Sequence, residues 1–156
     1  MKKLVLILIY STLSYSQSFN GDKVSLTNLI KRMYTAAPFE GVKVVDDYDH
    51  QYLISVLSLD KAKYANESMM NRVAQIKAQS QANIFFNGST ISSDLVIKTS
   101  DTKIDNSTKT VTETIESIKE NAIGFVKSME LLINFTDADN KRMIFIYCKE
   151  MPLNNK

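Results

Sequence analysis

The sequence predicts an α+β fold, in which helices pack on one face of a mostly antiparallel sheet that ends in a closing β-hairpin. Strand-length apolar segments alternate with segments whose apolar residues recur every three or four positions. Glycine and proline separate several of these segments. The sequence 137–140, Asp-Ala-Asp-Asn, is typical of a turn and lies between the last two apolar runs. This order favours helices collected on one side of an antiparallel sheet.

Residues 1–16 have the pattern of a secretory signal peptide and are excluded from the fold. Two lysines precede the apolar run 4–10, and small residues stand before a predicted cut between Ser16 and Gln17. The alternatives are a buried strand or a retained membrane anchor, but an anchor needs about 20 apolar residues. We therefore expect a cleaved chain that is secreted or periplasmic, with no transmembrane segment after cleavage.

Residues 17–41 are expected to form an N-terminal helical segment. Four apolar residues within 24–33 recur at helical spacing. They are Leu26, Leu29, Ile30 and Met33. Pro38 and Gly41 prevent the helix from continuing.

A single α+β domain is expected over residues 42–150. It begins with an extended stretch at 42–45 and a polar turn at 46–50. A strand rich in Leu, Ile and Val is predicted over 52–59.

A long helix is predicted over 66–86. Asn66 suits the N-cap, and Glu67 suits the positive end of the helix dipole. Small residues recur every four positions along one side, which allows close approach to a sheet or another helix. This row consists of Ala74, Ala78, Ala82 and Phe86. A neighbouring row consists of Met69, Val73, Ile76 and Ser80. Asn87 and Gly88 end the helix.

The remaining chain is predicted to contain one more helix and three strands. A strand at 91–98 precedes a polar stretch, 99–110, that is either a loop or the tip between strands. A helix at 112–123, closed by Gly124, leads to two hairpin strands at 125–135 and 143–148.

The charge balance argues against nucleic-acid binding. The chain of 156 residues has 19 basic and 17 acidic residues, and two of the basic ones are Lys2 and Lys3 in the signal segment. The remaining chain therefore has a formal net charge of zero. Because no basic cluster is present to neutralise phosphates, we expect no nucleic-acid partner.

Cys148 is the single cysteine, so no internal disulfide is possible. It lies in the apolar run 143–148, where a free thiol behaves as a small buried hydrophobic group. We expect a core residue rather than a reactive or intermolecular thiol.

The weak candidates for a metal site are Asp46, Asp49 and His50. His50 is the single histidine, so any histidine-dependent nucleophilic site must use it. Carboxylates with one imidazole can hold a divalent cation, but no second histidine or distant ligand motif supports a tight site. Turns are enriched in Asp for local backbone hydrogen bonds, and we favour that interpretation.

The sequence from Asp137 resembles the start of a calcium loop only superficially. The sixth position is Arg142 instead of Gly, and the twelfth is Cys148 instead of Glu. A hairpin turn is the favoured interpretation.

A ligand groove lined by methionine and aromatic side chains is a further possibility. The residues concerned are Met69, Met70, Tyr52, Phe85 and Phe86. Such residues at regular spacing more often form core. Since Phe85 and Phe86 are adjacent on a helix, they point about 100° apart, and we expect one to be less buried.

Residues 42–149 resemble one bacterial envelope family. The features that carry the resemblance are strand 52–59, the alanine-striped helix, the serine-rich strand start at 90–93 and the closing hairpin after Gly124. The family comprises the Lpp-twenty-like envelope lipoproteins and the N-terminal domain of the flagellar protein FlgT. The resemblance implies a non-enzymatic envelope protein with helices on a curved antiparallel sheet. The chain departs from the lipoproteins because Gln17 stands where the lipid-bearing cysteine would be.

The sequence therefore predicts an exported, non-enzymatic module that binds envelope or secreted proteins and carries no cofactor. The expected surfaces are the exposed edge of the closing hairpin, since an unpaired edge can recruit a partner strand, and the polar stretch 99–110. The alternatives are a small exported metal-dependent hydrolase at Asp46, Asp49 and His50, and a carrier of a small apolar ligand.

Overall fold

The computed structural model describes residues 21–47, 50–88, 93–99 and 107–152. The elements are α1 (Gly21–Ala36), β1 (Gly41–Asp47), β2 (His50–Asp60), α2 (Glu67–Gly88), β3 (Val96–Lys98), α3 (Ser107–Lys119), α4 (Ala122–Lys127), β4 (Glu130–Thr136) and β5 (Arg142–Met151). The predicted α+β class is confirmed. The predicted signal segment, residues 1–16, lies outside the described residues.

The strands form one sheet in the order β3-β1-β2-β5-β4. The β1–β2, β2–β5 and β4–β5 pairs are antiparallel, and the β1–β3 pair is parallel. The sheet is thus mostly antiparallel, and β4 and β5 form the predicted closing hairpin.

The sheet is apolar on both faces at its centre. In β2, Leu53 and Leu57 face one core cluster, whereas Ile54 and Val56 face a second cluster on the other side. Because side chains alternate along a strand, a strand buried on both faces needs a covering layer on each side.

Helices supply both layers. α2, α3 and α4 contribute to the first cluster, as the prediction of helices on one face requires. α1 adds a layer on the opposite face, where Leu26 and Ile30 are buried against β2 and β5. This additional layer is needed because the apolar side chains on the second face of the sheet would otherwise be exposed to water.

The small-residue row of α2 lies against the sheet. Ala74, Ala78 and Ala82 are fully buried, so the helix backbone approaches the strands closely. Asn66 caps the helix as predicted, since its Oδ1 accepts a hydrogen bond from the Met69 N–H at 2.8 Å.

Three predicted boundaries are wrong. The helix predicted over 112–123 is two helices, separated by a tight turn in which the Asn121 N–H donates to the Ile118 carbonyl at 2.9 Å. Gly124 lies inside α4 instead of closing a helix. Residues 125–127, which were predicted to begin a hairpin strand, also belong to α4, and Val126 is buried there in the first core cluster. Within the strand predicted over 91–98, Ser93–Leu95 form a 3₁₀ turn and Val96–Lys98 form β3, whereas residues 91 and 92 lie outside the described residues.

Candidate functional site

Strand β4 is an open edge of the sheet. It pairs with β5 on one side, and within the described ranges no strand pairs with its other side. The opposite edge strand, β3, is only 3 residues long, whereas β4 has 7. β4 is therefore the longer template for an added strand.

The hairpin register determines which backbone groups face the open edge. The Asp137 N–H donates to the Arg142 carbonyl at 3.0 Å, so these two residues form a hydrogen-bonded pair. Such pairs alternate with non-hydrogen-bonded pairs in an antiparallel ladder. The N–H and C=O groups of Asn134 and Thr136 consequently point away from β5, toward the open edge.

On one face of the sheet, β4 is covered by α1. Ile133 and Phe135 pack in the same cluster as α1 residues. The Phe135 ring lies 5.6 Å from the Tyr34 ring in an edge-on arrangement, and the Lys31 ammonium lies 5.6 Å from its centroid. The hairpin edge is predictable from sequence, but this cover is not, because helical periodicity alone does not identify the strand that α1 contacts.

On the other face, a groove of about 650 Å³ lies between the start of α2 and the start of β4. Leu131 is 44% exposed there and lies opposite Tyr147 in the ladder. The Tyr147 hydroxyl donates to the Asn71 carbonyl at 3.4 Å. Burial raises the pKa of Tyr147, so its phenol stays protonated. The groove thus offers apolar and hydrogen-bonding surface beside the edge.

Two features interrupt the edge near its start. The register shifts between Leu131 and Ile133, which marks a bulge. The Lys23 ammonium contacts the Glu130 carboxylate at 3.0 Å, which raises the pKa of Lys23 and lowers that of Glu130. The regular part of the edge is therefore residues 133–136.

The sheet separates two of the weak metal candidates. Asp46 lies opposite Gln51 in the β1–β2 ladder, and its Oδ1 accepts a hydrogen bond from Gln51 Nε2 at 3.2 Å. By strand alternation His50 lies on the other face, where its Nδ1 is 2.7 Å from Glu150 Oε1. Asp49 lies outside the described residues. Among the residues that the structure describes, no group of three or more His, Cys, Asp or Glu side chains is arranged to hold a metal.

Asp137 acts as a turn residue. Its Oδ1 accepts hydrogen bonds from the backbone N–H groups of Lys141 at 3.0 Å and Arg142 at 3.1 Å. Asn140 adopts a left-handed conformation with φ of 57°, which Asn tolerates better than most residues. These contacts agree with the hairpin-turn interpretation.

The methionine and aromatic residues proposed as a groove are split across the sheet. Met70, Phe85 and Phe86 are core on the α2 side, whereas Tyr52 is buried on the α1 side. The expectation that either Phe85 or Phe86 is less buried is wrong, since both are core and their rings meet edge-on at 5.6 Å. Met69 and Ile76 of the neighbouring row are exposed.

The second expected surface, 99–110, lies only partly within the described residues. Residues 100–106 lie outside the described residues. Residues 107–110 belong to α3, so this part of the stretch is helical and not a loop.

Among the helices in the described ranges, none combines the length and the apolar character that crossing a bilayer requires. Comparisons with family models, curated proteins and solved structures find no match for this chain.

Proposed function

We propose that this chain is an exported, non-enzymatic protein-binding module, and that a segment of an envelope or secreted partner adds a strand to β4. The observation that carries the proposal is the regular open edge at 133–136, where the backbone groups of Asn134 and Thr136 point outward. Addition of a strand to such an edge is a common mode of peptide recognition.

The flanking surfaces account for affinity and selectivity. Two outward residues offer two N–H donors and two carbonyl acceptors, each hydrogen bond contributing about 0.5–1.5 kcal/mol net. Association costs at least about 4 kcal/mol, so main-chain bonds alone give weak binding. Alternate side chains of an added strand would contact the groove at Leu131 on one face and the α1 side at Phe135 on the other.

The resemblance of residues 42–149 to Lpp-twenty-like lipoproteins and the FlgT N-terminal domain supports a non-enzymatic envelope role. The pattern of residues 1–16 supports export. If the predicted cut is used, protein recovered from a periplasmic or secreted fraction begins at Gln17, as N-terminal sequencing would show. An exported chain beginning at Met1 would contradict cleavage.

The strand-addition proposal is tested at Asn134. In Asn134→Pro the backbone N–H that points to the open edge is removed, while the β4–β5 ladder is retained. Asn134→Ala is the matched control, because it changes the side chain and keeps the N–H. Each variant is immobilised, and proteins captured from the envelope and secreted fractions of the source cells are compared by quantitative mass spectrometry.

We expect one specific protein to be captured by the unmodified chain and by Asn134→Ala, and to be lost with Asn134→Pro. Circular dichroism of each variant serves as the control for folding. Equal capture by both variants would show that the edge backbone is not used. Capture of no specific protein would count against a protein-binding role.

A further inference from the structure

The open edge of β4 can pair with the same edge of a second copy of the chain. Its outward backbone groups belong to Asn134 and Thr136, which are two residues apart. In an antiparallel ladder, the two residues of a hydrogen-bonded pair exchange both of their N–H···O bonds. When Asn134 of each copy pairs with Thr136 of the other, every outward group is used, and four hydrogen bonds form about a two-fold axis. No other antiparallel register of two copies satisfies both residues.

This register places Phe135 at the two-fold axis, because Phe135 lies midway between the two outward residues. Phe135 of one copy then faces Phe135 of the other in a non-hydrogen-bonded pair, in which Cα atoms are about 4.5 Å apart and side chains are close. The side chain is only partly buried, on the face of the sheet that α1 covers. Its ring already meets the Tyr34 ring edge-on at 5.6 Å. The axis therefore joins two aromatic side chains that are each held by their own α1.

The charges around the edge allow a weak association. Without residues 1–16 the chain has 17 basic and 17 acidic residues, so two copies do not repel each other at long range. At the start of β4, the Lys23 ammonium is already paired with Glu130 at 3.0 Å. The Lys31 ammonium lies 5.6 Å from the Phe135 centroid, so each copy brings one cation to the same face of the dimer. This like-charge contact opposes the pairing and limits its strength.

We propose that, in the absence of a bound partner, two copies of this chain pair through their β4 strands about this axis. The second copy then covers the edge that strand addition requires and protects it from unspecific pairing. The inference rests on the edge of the proposed function, because the second copy and a partner strand use the same backbone groups. The dimer must therefore dissociate before a partner strand is added, which makes partner binding dependent on the concentration of the chain.

Sedimentation equilibrium of the purified chain at about 5 µM to 1 mM measures the association. The regular part of the edge, residues 133–136, is short, so we expect a reversible dimer with a dissociation constant on the order of 100 µM. Asn134→Pro removes one outward N–H from each copy, and therefore two of the four hydrogen bonds, which should weaken the dimer about tenfold or more. Asn134→Ala keeps the N–H and should pair like the unmodified chain. A chain that is monomeric at 1 mM, or equal pairing by both variants, would overturn the proposal.

Cysteine cross-linking tests the register independently of Asn134, including the case in which Asn134→Pro fails to fold. In a Cys148→Ala background, Phe135→Cys places the only thiol at the axis, where Cα atoms about 4.5 Å apart permit a disulfide. Leu131→Cys is the matched control, because it lies on the same strand at a more exposed position. It is four residues from the axis, so its two copies are roughly 27 Å apart.

We expect Phe135→Cys to oxidise to a covalent dimer at least about tenfold faster than Leu131→Cys on non-reducing gels, since only the first pair of thiols is held together. Equal rates, or a faster reaction of Leu131→Cys, would show that the proposed register is wrong. The result is distinct from that of the capture experiment. A monomeric chain that still captures a partner through β4 would overturn the dimer alone, whereas a dimer that captures no partner would contradict the proposed function alone.

Discussion

At the scale of single residues, burial controls the chemistry of Cys148. The side chain is 5% exposed among apolar neighbours on the α1 face of the sheet. Burial raises the pKa of the Cys148 thiol to about 11 from its ordinary value of 9.0, because the thiolate is excluded from an apolar core. The thiol is therefore neutral near pH 7, in agreement with the core role predicted from sequence.

This shift predicts a loss of stability at high pH. The folded state holds the proton more tightly than the unfolded state, so the stabilisation is complete below pH 9 and is lost as pH rises toward 11. The loss amounts to roughly 2–3 kcal/mol. Urea unfolding of the unmodified chain and of Cys148→Ala, followed by circular dichroism at pH 7.5 and 10.5, should show a smaller fall for the variant. Equal falls would contradict the assignment, since the tyrosines titrate in both proteins.

The buried hydroxyl of Ser55 on β2 has its hydrogen-bond partner on α2. Its hydroxyl donates to Gln81 Oε1 on α2 at 2.7 Å, and Ser55 is fully buried while Gln81 is partly exposed. Gln81→Ala leaves the buried hydroxyl without this acceptor and should cost about 1–3 kcal/mol. Ser55→Ala should cost less, because water can reach the amide that remains. Urea unfolding gives both free energies, and a larger loss for Ser55→Ala would contradict this account.

At the scale of elements, sequence periodicity located α2, β2 and the closing hairpin, because caps, turns and apolar spacing are local signals. It placed Gly124 wrongly at a helix end. At position 124 of α4, a Cβ would lie 2.8 Å from the Asn121 Oδ1, so glycine leaves room for that side chain. This contact across one turn has no signature in residue spacing.

The close packing of α2 predicts that its alanine row does not accept larger side chains. Ala78 is fully buried against the sheet, so Ala78→Leu should destabilise the fold by about 1–3 kcal/mol through overpacking. Ser80→Leu, at an exposed position of the same helix, should change stability by less than about 0.5 kcal/mol. Thermal unfolding of both variants tests the difference. Equal effects would mean that α2 does not lie close to the strands.

At the scale of the whole molecule, α1 forms a second helical layer on the sheet of residues 42–150. Leu26 and Ile30 pack against the face of the sheet that carries Ile54 and Ile146. The Lys23–Glu130 contact also joins α1 to β4, but exposed ion pairs contribute only about 0–1 kcal/mol. The apolar contacts therefore hold α1 in place.

Truncation of Ile30 should reveal this contribution. Ile30 is fully buried, so Ile30→Ala should reduce the free energy of unfolding by about 2–5 kcal/mol. Val24→Ala, at an exposed position of the same helix, should have an effect below about 0.5 kcal/mol. Urea unfolding measures both. A loss below about 1 kcal/mol for Ile30→Ala would show that α1 is not part of the core.

The sequence by itself determined the α+β class, the main helix, the central strand and the closing hairpin, since these depend on residue spacing and turn chemistry within short segments. Only the tertiary structure decided the strand order, the second helical layer and the separation of Asp46 from His50 by the sheet. Periodicity shows that a face of a segment is buried, but it contains no information about the partner that buries it. The open edge of β4 results from that choice of partners.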